Sequence, residues 1–279
     1  MKKVSFGRQQ SQVTVVGLGG EGVLRTYGRE SEARSVIRQA VDQGITYFDS
    51  ARVYSDSEVY YGSVWGNDPA LRESIFQTSK SASRNKSGAL ADLESTLKRL
   101  QTTYLDLWQI HDVRTEEDLL AISRPGGALE AFIEAKKNGV VRNIGVTGHH
   151  DPYVLTRAVE EWPVDSVLLP VNPVEELLGG FLTLTLPAAR KKGIAVIAMK
   201  ILGASHYILP RFSITPEILI RYALSFDITV AIVGCSTPAE VQALAAAGGM
   251  PPLSERERGD VMKIFAPYAA KMAFYRGVK

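Results

Sequence analysis

The feature that most constrains this chain is a rhythm. Short apolar runs rich in Val, Ile, Leu and aromatic residues alternate with longer amphipathic stretches from one end to the other, which is the pattern of βα units. The strand-like runs are 13–16, 45–49, 74–79, 104–110, 141–147, 164–170, 194–199 and 229–233. Helical patterns occupy 32–43, 57–65, 87–100, 128–138, 152–161, 181–192, 216–226 and 238–247, seven between consecutive strands and the eighth after the last. Gln43-Gly44, Asn138-Gly139 and Lys192-Gly193 supply stop signals, because Gly takes the left-handed cap without steric cost. Eight strands alternating with eight helices in about 250 residues predict a closed (β/α)8 TIM barrel of the α/β class. An open doubly wound sheet is the alternative.

No linker or low-complexity segment interrupts residues 1–279, so the sequence predicts one domain. A hairpin at about 4–13 precedes the barrel, and a capped tail helix at about 253–266 follows it. With 32 Lys plus Arg against 30 Asp plus Glu, the net charge is +2, which gives no general field for nucleic acid or an anionic membrane. The expected partner is a small molecule, and oligomeric state is left open. Cys235 is the single cysteine, so it forms no internal disulfide and no Cys-based metal site by itself. It reads as a packing residue, because nothing basic lies beside it in sequence. No run approaches the roughly 18 apolar residues of a membrane span, and the N-terminus lacks the apolar core of a secretory signal. The expectation is a cytoplasmic protein without a metal.

Gly17-Leu18-Gly19-Gly20-Glu21-Gly22 fits G-x-G-x-x-G after a strand, the spacing of a dinucleotide-binding turn. That motif needs its third glycine to open a helix, whereas Gly22 is followed by Val-Leu-Arg-Thr-Tyr-Gly. A flexible loop at the barrel top is the preferred reading.

Chemistry in a barrel comes from the C-terminal ends of its strands. Asp49, Lys80 and His111 end the second, third and fourth strand runs, and Tyr54 follows on the next loop. Singly, each has an ordinary structural explanation as a turn cap, a solvated cation or a packing residue. Together they form a device. A buried Lys-Asp pair beside a phenol is expected to lower the phenol's pKa, and a phenol so tuned can pass a proton to a carbonyl oxygen. A neutral His111 imidazole can hold that oxygen.

These residues carry a family resemblance. GITYFDSARVY, FQTSK and TYLDLWQIH resemble the three signature segments of the aldo-keto reductases, in order and in register, with the likeness running from Val13 to about Ala247. The resemblance implies a (β/α)8 barrel that binds an extended nicotinamide cofactor, NADP(H) or NAD(H), across its mouth and interconverts carbonyls and alcohols. It implies Tyr54 as general acid/base, Lys80 and Asp49 as its tuning pair, and His111 as the group that orients the carbonyl.

The cofactor half departs from the family pattern. Thr147 and Gly148 stand where the family holds the carboxamide with a Ser-Asn pair, and His149 or Asn172 is the candidate substitute. Leu168 and Val171 stand where a Gln and a stacking aromatic are usual. Lys200 and Leu202 lie in the segment similar to the pyrophosphate loop. Ser236, Thr237 and Glu240 lie in the segment similar to the adenosine-phosphate site. Glu240 replaces a cation there and argues for NAD(H), while Lys200, Arg157 or Arg211 reaching the phosphate from outside the motif would argue for NADP(H).

The connection 111–126 is expected to form one wall of the substrate pocket, with Trp65, Trp108 and Tyr60 as candidate apolar lining. Two other functions fit the same residues. One is an aldose 1-dehydrogenase acting on a sugar, and the other is a non-catalytic, nicotinamide-binding redox-sensing subunit.

Overall fold

The computed structural model describes residues 1–8 and 11–277. The chain opens with β1 (Lys3–Ser5) and β2 (Gln12–Thr14), paired antiparallel with Val4 opposite Val13. This is the expected hairpin, and Gln9 and Gln10 lie outside the described residues. Then follow β3 (Val16–Gly22), α1 (Glu30–Asp42), β4 (Tyr47–Phe48), α2 (Ser57–Trp65), α3 (Pro69–Ser74), β5 (Phe76–Ser81) and α4 (Lys86–Leu100). The middle of the chain forms β6 (Leu105–Ile110), α5 (Glu116–Ser123), α6 (Ala128–Lys137), β7 (Val141–Thr147), α7 (Pro152–Glu161), β8 (Ser166–Pro170) and α8 (Pro173–Leu178). The last third contains α9 (Leu186–Lys192), β9 (Ala195–Met199), α10 (Pro216–Ala223), β10 (Val230–Cys235), α11 (Pro238–Gly249), α12 (Glu255–Phe265) and α13 (Ala269–Met272).

Among the described residues, β3 to β10 close a parallel barrel in the order β10-β3-β4-β5-β6-β7-β8-β9. The fold is the (β/α)8 TIM barrel, and the open sheet is excluded. The hairpin covers the bottom: Phe6 packs on Phe76 at 4.6 Å between ring centroids, within an interior cluster that includes Tyr47, Leu107, Ile197 and Val230. A larger apolar shell lies between strands and helices, where Trp108 stacks on Phe132 of α6. No helix among the described residues is long and apolar enough to cross a membrane.

Two expectations are corrected. Gly17 to Gly22 is neither a flexible loop nor a dinucleotide turn but most of β3, which pairs with β10 through Gly17 and Ile232. Its glycines are required by what faces them: a Cβ on Gly17 would lie 2.7 Å from the Tyr47 ring, and one on Gly20 would lie 2.7 Å from the Tyr54 ring. Second, the single helix expected over 181–192 opens instead as a π turn, Phe181–Thr185, before α9. Pro187 cannot donate the helical hydrogen bond, and Leu186 N–H reaches back to the Phe181 carbonyl.

Candidate active site

Strand alternation puts the charged pair inside the barrel. On β5, Ser79 and Ser81 turn outward, where their hydroxyls donate to Glu58 and Asp92, so Phe76, Thr78 and Lys80 turn inward. Lys80 is fully buried. Its Nζ donates to Asp49 Oδ2 at 2.6 Å and to the Ser50 carbonyl at 2.7 Å, while Thr78 Oγ1 donates to Asp49 Oδ1 at 2.9 Å. Lys80 Nζ thus has two acceptors and each Asp49 oxygen has a donor, the kind of pairing that a buried ion pair needs.

Tyr54 stands over this pair. Its ring centroid is 4.9 Å from Lys80 Nζ and 4.8 Å from the Arg25 guanidinium, and the His111 ring meets it edge-on at 5.5 Å. The Tyr54 hydroxyl makes no hydrogen bond among the described residues. The expected lowering of its pKa is not found. Burial pushes the phenol well above its ordinary value, and the Asp49 and Glu21 carboxylates add to this against Arg25. Burial dominates, and Lys80 Nζ, which donates to Asp49 and Ser50 and lies over the ring, makes no hydrogen bond to the Tyr54 hydroxyl that would offset it. At His111, burial followed by the Lys80 charge pulls the imidazole pKa down to about 3. The site thus presents a neutral phenol beside a neutral imidazole.

These groups open into one cavity of about 1080 Å³ at the C-terminal ends of the strands. Asp112, Arg114 and Asp118 line it, so the 111–126 connection is a wall as expected, with α5 inside it capped by Thr115. Trp65, Trp108 and Tyr60 are buried in the helix–strand shell and do not line the cavity.

Of the cofactor candidates, Thr147, His149, Leu168, Lys200, Leu202, Ser236 and Glu240 line the cavity. Gly148, Asn172 and Thr237 do not. Asn172 is buried and fully committed: Oδ1 caps α8 by accepting from Glu175 N–H, and Nδ2 donates to the Lys200 carbonyl and the Tyr275 hydroxyl. Val171 faces the shell between strands and helices. Thr237 caps α11. Arg157 pairs with Glu116 and Glu161 on the barrel's outside, and neither it nor Arg211 lines the cavity. His149 Nδ1 lies 3.2 Å from the Tyr275 carbonyl, while its Nε2 is 3.3 Å from Asp112 Oδ1 without a hydrogen bond between them.

The structure adds residues that sequence reasoning missed. Met199, not Val171, lies beside Leu168 in the cavity wall. Arg25, paired with Glu21 at 2.6 Å, covers Tyr54. Tyr275 reaches back from the C-terminal segment, donating to the buried Glu175, and Arg276 pairs with the same carboxylate. Nothing local in the sequence marks those two residues.

The loop after β9 has the features of an anion seat. Lys200, Gly203, Ala204 and Ser205 all have left-handed φ, and the backbone N–H groups of Ile201, Leu202, Ala204 and Ser205 make no hydrogen bond among the described residues. Clustered N–H groups of this kind form concave anion sites. The Lys200 ammonium likewise makes no hydrogen bond or ion pair among the described residues, and its nearest ring is Tyr275 at 5.8 Å.

The Aldo/keto reductase family profile matches residues 15–207, more than half of the chain. The chain belongs to the aldo/keto reductase family. Among its relatives, the probable aldo-keto reductase 1 of Glycine max is 27% identical over 225 residues, covering 74% of this chain and 61% of that protein. The uncharacterized oxidoreductase YcsN of Bacillus subtilis is 30% identical over 176 residues, covering 56% and 57%. These matches span less than two thirds of the length of such relatives. The holo form of the aldo-keto reductase AKR11C1 from Bacillus halodurans superposes with a TM-score of 0.78 over 95% of this chain and 96% of that one, at 23% identity. That likeness concerns the fold.

Proposed function

We propose that this chain is a nicotinamide-dependent oxidoreductase that reduces an aldehyde or ketone to an alcohol, with NAD(H) as its preferred cofactor. The observation that carries the reading is the buried Lys80–Asp49 pair set beneath Tyr54 beside His111 at the mouth of one large cavity. A nicotinamide cofactor supplies hydride when bound. The residues fit such a group: Leu168 and Met199 offer an apolar wall, and Lys200 with the N–H groups of Ile201, Leu202, Ala204 and Ser205, unpaired among the described residues, suits a pyrophosphate.

Within that frame the chain's own groups have distinct tasks. His111, uncharged down to about pH 3, donates a ring N–H to the substrate oxygen and fixes it near Tyr54. Tyr54 carries the proton that the oxygen needs, and the raised phenol pKa keeps it there until charge develops. As the proton leaves, Lys80 and Arg25, both within 5 Å of the ring centroid, stabilise the forming phenolate. Asp49 holds Lys80 in place through the 2.6 Å contact to its Nζ.

The cofactor preference rests on α11. Ser236 N–H donates to Glu240 Oε2 at 2.6 Å, so a carboxylate already sits on the helix N-terminus where an adenosine phosphate would seek donors. A phosphate there meets like charge, whereas a free ribose hydroxyl can donate to the same carboxylate. The test is a panel of aldehydes, ketones and sugars followed at the nicotinamide absorbance, with NADH, NADPH and their oxidised forms. Carbonyl reduction with NADH is expected. Cofactor binding without turnover of any compound would replace this reading with the redox-sensing one.

A further inference from the structure

Tyr54 reaches the cavity from a loop, so something other than a strand must fix it. The next residue, Ser55, has a φ of 43°, an uncommon conformation for anything but glycine. A chain of polar contacts, buried at Glu58 and part-buried at Arg99, ends at this residue. Glu58, on α2, is fully buried, and its Oε1 accepts from Ser79 Oγ at 2.7 Å and from Thr96 Oγ1 at 2.8 Å. Its Oε2 accepts from Arg99 Nε at 3.1 Å, and Arg99 Nη2 donates to the Ser55 carbonyl at 2.5 Å. Asp56 lies 3.6 Å from the same guanidinium.

We propose that Glu58 and Arg99 are positioning residues: together they hold the left-handed turn at Ser55 and so set the Tyr54 ring over Lys80 and beside His111. The proposal rests on Tyr54 being the proton donor. One carboxylate ties three elements that the chemistry needs in register. Ser79 immediately precedes Lys80 on β5, Thr96 and Arg99 belong to α4, and Ser55 follows Tyr54. The planar guanidinium is suited to the task, since its fork bonds Glu58 on one edge and the Ser55 carbonyl on another. Neither residue touches the cavity, so their effect passes through Tyr54.

The test uses the turn's own preference for glycine. Arg99→Met is expected to lower kcat at least tenfold, while NADH affinity from fluorescence quenching stays within twofold. Ser55→Gly added to Arg99→Met supplies a residue that takes the left-handed turn untethered, and is expected to restore kcat to within about threefold. Arg99→Lys serves where Arg99→Met does not fold, because an ammonium keeps Glu58 paired without the fork. It is expected to lose kcat and to be rescued by Ser55→Gly in the same way. Parental kcat in both Arg99 variants, or a loss that Ser55→Gly does not relieve in a folded chain, overturns the proposal. Tyr54→Phe separates the two readings: an inactive Tyr54→Phe with unaffected Arg99 variants removes only the positioning role, whereas an active Tyr54→Phe removes the donor itself.

Discussion

Lys80→Met isolates the energetic core of the site. Lys80 is fully buried and Asp49 is 2% exposed, so deleting the ammonium leaves a carboxylate with only the Thr78 hydroxyl among its side-chain partners. Breaking a buried pair from one side costs about 3–5 kcal/mol, because the remaining charge is uncompensated. For a chain of this size that lowers Tm by roughly 10 °C. Removing the carboxylate as well, in Lys80→Met/Asp49→Asn, takes away the stranded charge, and most of that loss should return. Activity should not return, because the buried ammonium under the phenol is gone and only the half-exposed Arg25 remains beside it, and general acid catalysis contributes about 10²–10⁴-fold. Thermal unfolding by circular dichroism and NADH consumption on the same samples check both halves. The reasoning fails if the single and double variants unfold at the same temperature, or if Lys80→Met stays within about 1 kcal/mol of the parent.

The remaining predictions concern the edges of the site. Glu240→Arg should shift preference toward NADPH by about tenfold in kcat/KM, or about 1.4 kcal/mol, and an unchanged ratio would mean the side chain does not face the adenosine end. His111 has a folded pKa depressed to about 3 from an ordinary 6.5, so the unfolded chain binds its proton first as pH falls. Its stabilisation is complete above about pH 6.5 and is lost toward pH 3. His111→Gln should flatten acid unfolding over that window, and an unchanged acid profile would show that the imidazole titrates normally. Burial, then the Glu240 carboxylate, pushes the Cys235 thiol up to about 12. Native protein should resist an aromatic disulfide reagent that labels the denatured chain, and rapid stoichiometric labelling would contradict the packing role.

Much of this architecture was legible because its signals are local and periodic. The helices expected at 57–65 and 152–161 have those bounds in the structure, the second because apolar periodicity and a proline after Asp151 mark it. β3 was hidden because glycine carries no strand propensity, and its need for glycine arises from Tyr47 and Tyr54, which approach from elsewhere in the chain. α5 did carry a usable signal in Thr115-x-x-Asp118, a helix start overlooked inside a supposed loop. The strand-end rule brought Asp49, Lys80, Tyr54 and His111 together correctly in space, yet it gave the wrong sign for the phenol's pKa. That sign depends on where Lys80 Nζ points and on burial, which no spacing encodes. Asn172, one of two candidates for the carboxamide contact beside His149, caps a helix, and Tyr275 went unseen because about a hundred residues separate it from Glu175.

The central claim is that Tyr54 donates the proton. The direct measurement is single-turnover reduction of an aldehyde by bound NADH in Tyr54→Phe, followed at the nicotinamide absorbance, with NADH affinity determined on the same protein. The ring and its contacts with Lys80, Arg25 and His111 remain in this variant while the only phenolic proton at the site is removed. The account predicts NADH affinity within a few-fold of the parent and a turnover rate at least about a hundredfold lower for every carbonyl tested. Turnover near the parental rate would contradict it and assign the proton to another group.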